Sequence, residues 1–256
     1  MYTICFYNHK GGVGKTSLAG AVSCELILRG KKVLMADTDS QGNLSSQFMN
    51  GAEIKMELAD YLSDSSAGIG GCVYPTRYDN LYIAPSRKIS ERGRLNDWAS
   101  AEASKMENRD ALNYLAEDAE KLGFDFLVFD MPPSYTELDK KVMLCSDEII
   151  PVLQIAQTSI DGLVDFYQLL KKLKGRSERP LCDKLVFNQY QRTKTVQKAI
   201  LPVIGKMQSK TYFIPNDEAF RKAELRKVAP QEIGIKKETQ EALDRIVSEI
   251  TERGGE

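Results

Sequence analysis

Lys10-Gly11-Gly12-Val13-Gly14-Lys15-Thr16 is the stretch that decides the fold. It follows an apolar run, Ile4-Cys5-Phe6-Tyr7, and precedes a helical pattern from Ser17 to Arg29. Strand, glycine loop and helix in that order make a cradle for a phosphate. Glycines let the backbone wrap an anion with its N–H groups pointing inward. The helix N-terminus adds partial positive charge at the same point. In such a loop Lys15 reaches the β- and γ-phosphates and the Thr16 hydroxyl can ligate Mg²⁺. The ordinary pattern, Gly-x-x-x-x-Gly-Lys-Ser/Thr, is not met at its front, where Asn8 and His9 stand and a second lysine, Lys10, follows. A plain glycine turn would leave both lysines and the threonine unexplained.

Working outward, Lys32-Val33-Leu34-Met35-Ala36 reads as a buried strand that ends at Asp37. The next residues, Asp37-Thr38-Asp39-Ser40-Gln41-Gly42-Asn43-Leu44, put two carboxylates at a strand end, near the ligand edge of a parallel sheet. Phe124 to Phe129 is a second apolar strand, ending at Asp130 and followed by Met131-Pro132-Pro133-Ser134. The two prolines stiffen a loop in the position of a switch. Further strands are expected at Asn80–Ser86, Asp147–Val152, Lys184–Phe187 and Tyr212–Pro215. Helices are expected at Lys55–Leu62, Glu102–Leu122, Thr158–Leu173 and Lys236–Arg253, with Trp98 in a packing role. Ser63 to Gly71 reads as a mobile Ser/Gly loop. Alternation of apolar strands with helices implies an α/β fold, a single domain over residues 1–256 whose mostly parallel twisted sheet carries helices on both faces.

Bulk composition excludes several classes. No apolar run approaches the roughly 20 residues of a membrane span, and the chain enters a strand at once, so no signal peptide is expected. The five cysteines lack CxxC spacing and there is one histidine, which speaks against zinc and for a reducing, cytoplasmic setting. Net charge is −1 but uneven: Lys171 to Lys227 holds 15 basic and 5 acidic residues, +10, which leaves −11 elsewhere. Such asymmetry fits a face for a polyanion, or helix faces solvated in several directions.

Lys10-Gly11-Gly12-Val13-Gly14-Lys15-Thr16 resembles the deviant Walker A loop of the ParA/MinD ATPases. Asp37-Thr38-Asp39-Ser40-Gln41-Gly42-Asn43 resembles that family's D-x-D-P-Q-G-N, with Ser40 for the usual proline. Asp130-Met131-Pro132-Pro133-Ser134 matches D-x-P-P-S, and Asn80 to Ser86 resembles N-L-x-x-I-P-S. The resemblance spans nearly the whole chain. It implies a P-loop fold that binds ATP through Lys10, Gly11, Gly12, Val13, Gly14, Lys15, Thr16 and Ser17, with Asn188 and Pro215 at the adenine. It implies Mg²⁺ held by Thr16, Asp37 and Asp130. Lys10, Lys15 and Asp39 would be the catalytic set: Lys15 on the phosphates, Asp39 orienting water, Lys10 reaching across a dimer to the partner's phosphates or pairing within its own subunit.

Gln41-Gly42-Asn43 and Pro132-Pro133-Ser134 favour the ParA/Soj branch, whose members partition DNA as ATP-dependent homodimers with a ParB-like adaptor. Arg192, Lys194, Lys198, Arg221, Lys222, Arg226 and Lys227 would then contribute to a nonspecific DNA face in a nucleoid-associated protein. With no room ahead of the first strand for a helix-turn-helix, operator recognition is not expected. The alternative is a MinD-like ATPase acting at a membrane surface or on a protein cargo, although the acidic end, Ser248 to Glu256, suits no anionic membrane. A nitrogenase-reductase-like carrier would need bridging cysteines, and a nucleotide kinase leaves Lys10 and the Asp37/Asp39 pair without a role. A non-enzymatic nucleotide-binding scaffold would be told apart by turnover. Asn216-Asp217-Glu218-Ala219-Phe220-Arg221-Lys222 departs from the family's E-A-P-S stretch, and with it any partner surface carried over from there.

Overall fold

A computed structural model describes residues 1–49, 51–88, 91, 93–108, 110–154, 166, 168, 170–172, 182–191 and 209–255. Its frame is an eight-stranded sheet: β1 (Tyr2–Tyr7), β2 (Val33–Asp37), β3 (Tyr74–Pro75), β4 (Leu81–Ala84), β5 (Phe126–Asp130), β6 (Glu148–Leu153), β7 (Lys184–Tyr190) and β8 (Lys210–Pro215). The spatial order is β3-β4-β2-β5-β1-β6-β7-β8. Every pairing is parallel except that of the edge strand β3, which runs antiparallel to β4. Pro75 is tolerated there because an edge strand needs no donor on its outer side. The strands β1, β2, β5 and β6 are buried along their whole length, the reason they read as continuous apolar runs.

Helices cover both faces. α1 (Lys15–Leu28), α2 (Asn43–Phe48), α3 (Leu58–Ser63), α4 (Ala111–Lys121), α5 (Glu137–Cys145), α6 (Glu218–Arg226), α7 (Pro230–Ile233) and α8 (Lys237–Gly254) are named in chain order. Successive residues of β1 serve opposite cores, as a period of two requires. Cys5 and Tyr7 pack with residues of α3, α4 and α5, whereas Ile4 and Phe6 pack with α1, α2 and α8. The α8 stripe is the expected one: Ala242, Leu243, Ile246, Val247 and Ile250. All five cysteines are free, with Cys5, Cys24 and Cys72 buried.

Three expectations are corrected. The helix read over Glu102–Leu122 is broken: Trp98–Glu102 is a π turn, Met106–Asn108 a 3₁₀ turn, and α4 starts only at Ala111. Here the Asn108 side-chain amide donates to the Glu102 carbonyl at 3.0 Å, a local bond that competes with helix propagation. Met106 is 82% exposed, while Leu112, Leu115 and Ala119 face the core. Ser63 to Gly71 is no plain loop but folds into 3₁₀ turns at Ser65–Ala67 and Ile69–Cys72, pinned by buried Ile69 and Cys72. The helix expected over Lys55–Leu62 begins only at Leu58, after Glu57. Glu57 itself is fully buried and accepts the backbone N–H groups of Arg87 and Arg94, at 2.9 and 2.8 Å. Most of the helix expected at Thr158–Leu173 lies outside the described residues; Phe166 within it is helical and its ring packs tilted against Tyr7, centroids 5.0 Å apart.

Candidate functional site

The order of strands places a crevice at the carboxyl ends of β1, β2 and β5, where chain direction along the sheet reverses. In register, Asp37 of β2 lies beside Asp130 of β5, and Asp130 beside Phe6 of β1. The loop of residues 8–14 closes over this end. Asn8 anchors its entry: its side-chain amide donates to the Val152 carbonyl at 2.6 Å and its Oδ1 accepts the Lys10 N–H at 2.8 Å. Gly12 and Gly14 take left-handed backbone angles, φ 75° and 94°, and Gly14 opens directly into α1. Lys15 is buried, its ammonium donating to the carbonyls of Asn8 and Lys10 at 2.9 and 3.2 Å. Burial pushes the Lys15 ammonium down from its ordinary value, opposed by the carboxylates of Asp130, Asp39 and Asp139. The Lys10 side chain is exposed at the mouth of the loop.

The carboxylates have distinct partners. Asp37 is fully buried; one oxygen accepts the Ser45 N–H and hydroxyl at 2.8 and 2.7 Å, the other the Asp39 N–H at 3.1 Å. Burial pushes its pKa up to about 7, with the Asp39 charge adding and the Ser45 bonds opposing. Asp39 accepts the Gln41 N–H at 2.9 Å and lines the cavity. Asp130 is fully buried and neither of its carboxylate oxygens has a hydrogen-bond partner. Burial first, then the Asp37 charge, raises its pKa well above the carboxylate range, opposed by the Thr16 hydroxyl and Lys15. When both are ionised, these two adjacent buried carboxylates carry more charge than the one buried ammonium offsets, the electrostatics a cation site requires. Among the described residues no cluster of three acidic, cysteine or histidine side chains could hold a metal alone. A hard cation here would therefore draw on the Thr16 hydroxyl, water and phosphate oxygens, as Mg²⁺ does. The residues fit the ion.

A cavity of about 380 Å³ opens over the loop, lined among others by Gly11, Gly12, Lys15, Thr16, Asp39 and Pro133. A second, of about 410 Å³, adjoins it and is lined by Asn188, Pro215, Asp217, Phe220 and Arg221. The two share Gly14, Ser17, Gln189 and Glu224. The structure thus brings Asn188 and Pro215 together at the end away from Lys15. The Asn188 amide also donates to the Val13 carbonyl at 2.8 Å, a contact its sequence position did not reveal. Arg221, grouped in the sequence with the basic face, is exposed on α6 and also lines this second cavity. Lys222, Arg226 and Lys227 are exposed around α6, whose start is capped by Asp217 accepting the Ala219 N–H at 3.0 Å. Arg192, Lys194 and Lys198 lie outside the described residues. Three contributors were missed in the sequence. Glu224 and Gln189 line both cavities, and Asp139 holds the switch loop by accepting the Ser134 hydroxyl at 2.8 Å while capping α5. A Thr-x-x-Asp capping signal at Thr136 was the only trace of these in the sequence.

The family model described as an AAA domain matches residues 1–182. The chromosome-partitioning ATPase Soj of Treponema pallidum is 29% identical over 205 residues, covering 78% of this chain and 77% of the relative. An ATP complex of a McdA variant from Cyanothece shares the fold with a TM-score of 0.80 at 19% identity, over 98% of this chain and 96% of that one. The septum site-determining protein MinD of Pyrococcus horikoshii, complexed with Mg-ADP, gives 0.71 at 21% identity, over 97% and 95%. Sheet order, glycine loop and paired strand-end aspartates define a P-loop nucleotide hydrolase. Within that class the chain belongs to the AAA-domain family and its ParA/Soj-type ATPases.

Proposed function

We propose that the chain is an ATP-driven positioning ATPase of the cytoplasm. With Mg²⁺ and ATP it pairs with a second copy and holds nonspecific DNA; hydrolysis, stimulated by a ParB-like adaptor, releases both. The observation that carries this reading is Asp130: a fully buried carboxylate with two unpartnered oxygens, facing the field of Lys15 and Thr16. Bound Mg²⁺ supplies positive charge against the phosphates. Thr16, Asp37 and Asp130 would hold it, the two carboxylates by way of water. Lys15 swaps its carbonyl partners for phosphate oxygens, Asn188 and Pro215 flank the adenine, and Asp39 orients the attacking water. Lys10, exposed at the loop's mouth, reaches the partner's nucleotide. Among the described residues no helix is long and apolar enough to cross a membrane.

DNA holding rests on the basic balance of Lys171 to Lys227 and on the exposure of Lys222, Arg226 and Lys227. Each phosphate contact releases about 0.9 counterion from duplex DNA. Affinity for fluorescent random-sequence duplex should therefore rise in ATP over ADP and fall steeply with salt. Replacing Lys222, Arg226 and Lys227 with glutamate should weaken binding to all sequences alike and flatten the salt slope. Charge-reversed protein that binds DNA as tightly as the parent contradicts the reading, and liposome binding in its place points to a MinD-like role.

A further inference from the structure

β6 and β7 end next to the phosphate loop, and each delivers a glutamine to it. The Gln154 side-chain amide donates to the Gly12 carbonyl at 3.1 Å and to Gln189 Oε1 at 2.6 Å. The Gln189 amide donates to the same Gly12 carbonyl at 3.4 Å. Gln189 does so from a left-handed backbone, φ 56°, at an irregularity in the β7–β8 register. A non-glycine residue held there costs free energy, and a bulge re-aims a side chain. Asn188, one residue earlier, holds the next carbonyl, that of Val13.

A trans peptide points its C=O and the following N–H in opposite directions. Holding the Gly12 carbonyl toward the strand ends therefore turns the Val13 N–H the other way. Holding the Val13 carbonyl does the same for the Gly14 N–H. Neither N–H is spent on a backbone partner among the described residues. We propose that Gln154 and Gln189 are positioning residues that clamp the Gly12 carbonyl and thereby aim the Val13 N–H at the nucleotide's phosphates. The clamp rests on the nucleotide reading above. It acts on the phosphate end only, since both glutamines meet the loop at Gly12.

Calorimetric titration with ADP and with inorganic pyrophosphate tests it, alongside urea midpoints of the same proteins. One hydrogen bond lost from the clamp corresponds to about a three- to tenfold loss of affinity. Gln154→Ala should lose that for both ligands with an unchanged urea midpoint. Gln154→Glu, equal in shape but facing the Gly12 carbonyl with an acceptor, should lose more. Gln154→Ala and Gln189→Ala together should cost less than the sum of the two, because either single variant already removes the hydrogen bond between the two glutamines. Unchanged ADP and pyrophosphate affinity in Gln154→Glu overturns the clamp, as does a loss for ADP that pyrophosphate does not share. A parent protein that binds neither ligand overturns the phosphate site itself, and the clamp with it.

Discussion

At the residue scale, Lys15 and Asp39 lie on one cavity but in different surroundings. Lys15 is buried and held by two backbone carbonyls, so the loop keeps its ammonium in place before any anion arrives. Truncating it removes a charge-assisted partner of the phosphates, worth at least about a tenfold loss. Lys15→Ala should accordingly lower ATP affinity by that much or more in a calorimetric titration; equal affinity would remove Lys15 from the phosphates. The Asp39 carboxylate accepts the Gln41 N–H and faces the cavity. Asp39→Ala should bind ATP normally and hydrolyse it about 100-fold more slowly, the scale of a lost general base or water-orienting group. Single-turnover rates decide this, and wild-type turnover would assign the water to another residue. Lys15 and Asp39 were legible as members of one site because they sit in short contiguous motifs, which the structure brings onto one cavity. Gln154, Gln189 and Glu224 were not, because each acquires meaning only when a strand end or helix is carried across the sheet to the loop.

The elements tell a similar story at the opposite end of the sheet. Lys184 at the start of β7 and Glu148 at the start of β6 are both fully buried and paired at 2.6 Å. Arg253 of α8 joins them, at 3.4 Å from Glu148 and 2.5 Å from Asp183, and Tyr2 donates its hydroxyl to Glu148 at 3.3 Å. Breaking a buried pair strands a charge, whereas replacing both members with apolar groups of similar size is often neutral. Lys184→Met should thus cost about 3–5 kcal/mol, and the double variant with Glu148→Leu should recover most of it by urea unfolding. A double variant as unstable as the single one would mean that the wider charge network, not the pair, needs Glu148. Nothing in the local sequence pairs these two residues, 36 positions apart; adjacency of β6 and β7 does. The overlong helix read over Glu102–Leu122 failed for the converse reason. Its apolar spacing was helical, but a side-chain bond from Asn108 back to Glu102 competed successfully with the backbone ladder.

Across the whole molecule, the parallel sheet and its two helical layers followed from buried strand runs and from the order of strand, loop and helix. The antiparallel edge β3, only Tyr74–Pro75, had too little pattern to be seen. The same topology gathers Lys15, Asp37, Asp130 and Asn188 from four separate stretches at one edge and leaves Lys10 exposed beside them. An exposed lysine at the start of the glycine loop is the basis on which a second copy is proposed to complete the site. Light scattering in Mg²⁺ with ATP, using Asp39→Ala to slow hydrolysis, measures this most directly. The expected masses are twice the chain's in ATP, a single chain's in ADP, and a single chain's in ATP once Lys10→Ala is added. A dimer that forms in ATP without Lys10, or one that ignores which nucleotide is present, would contradict it.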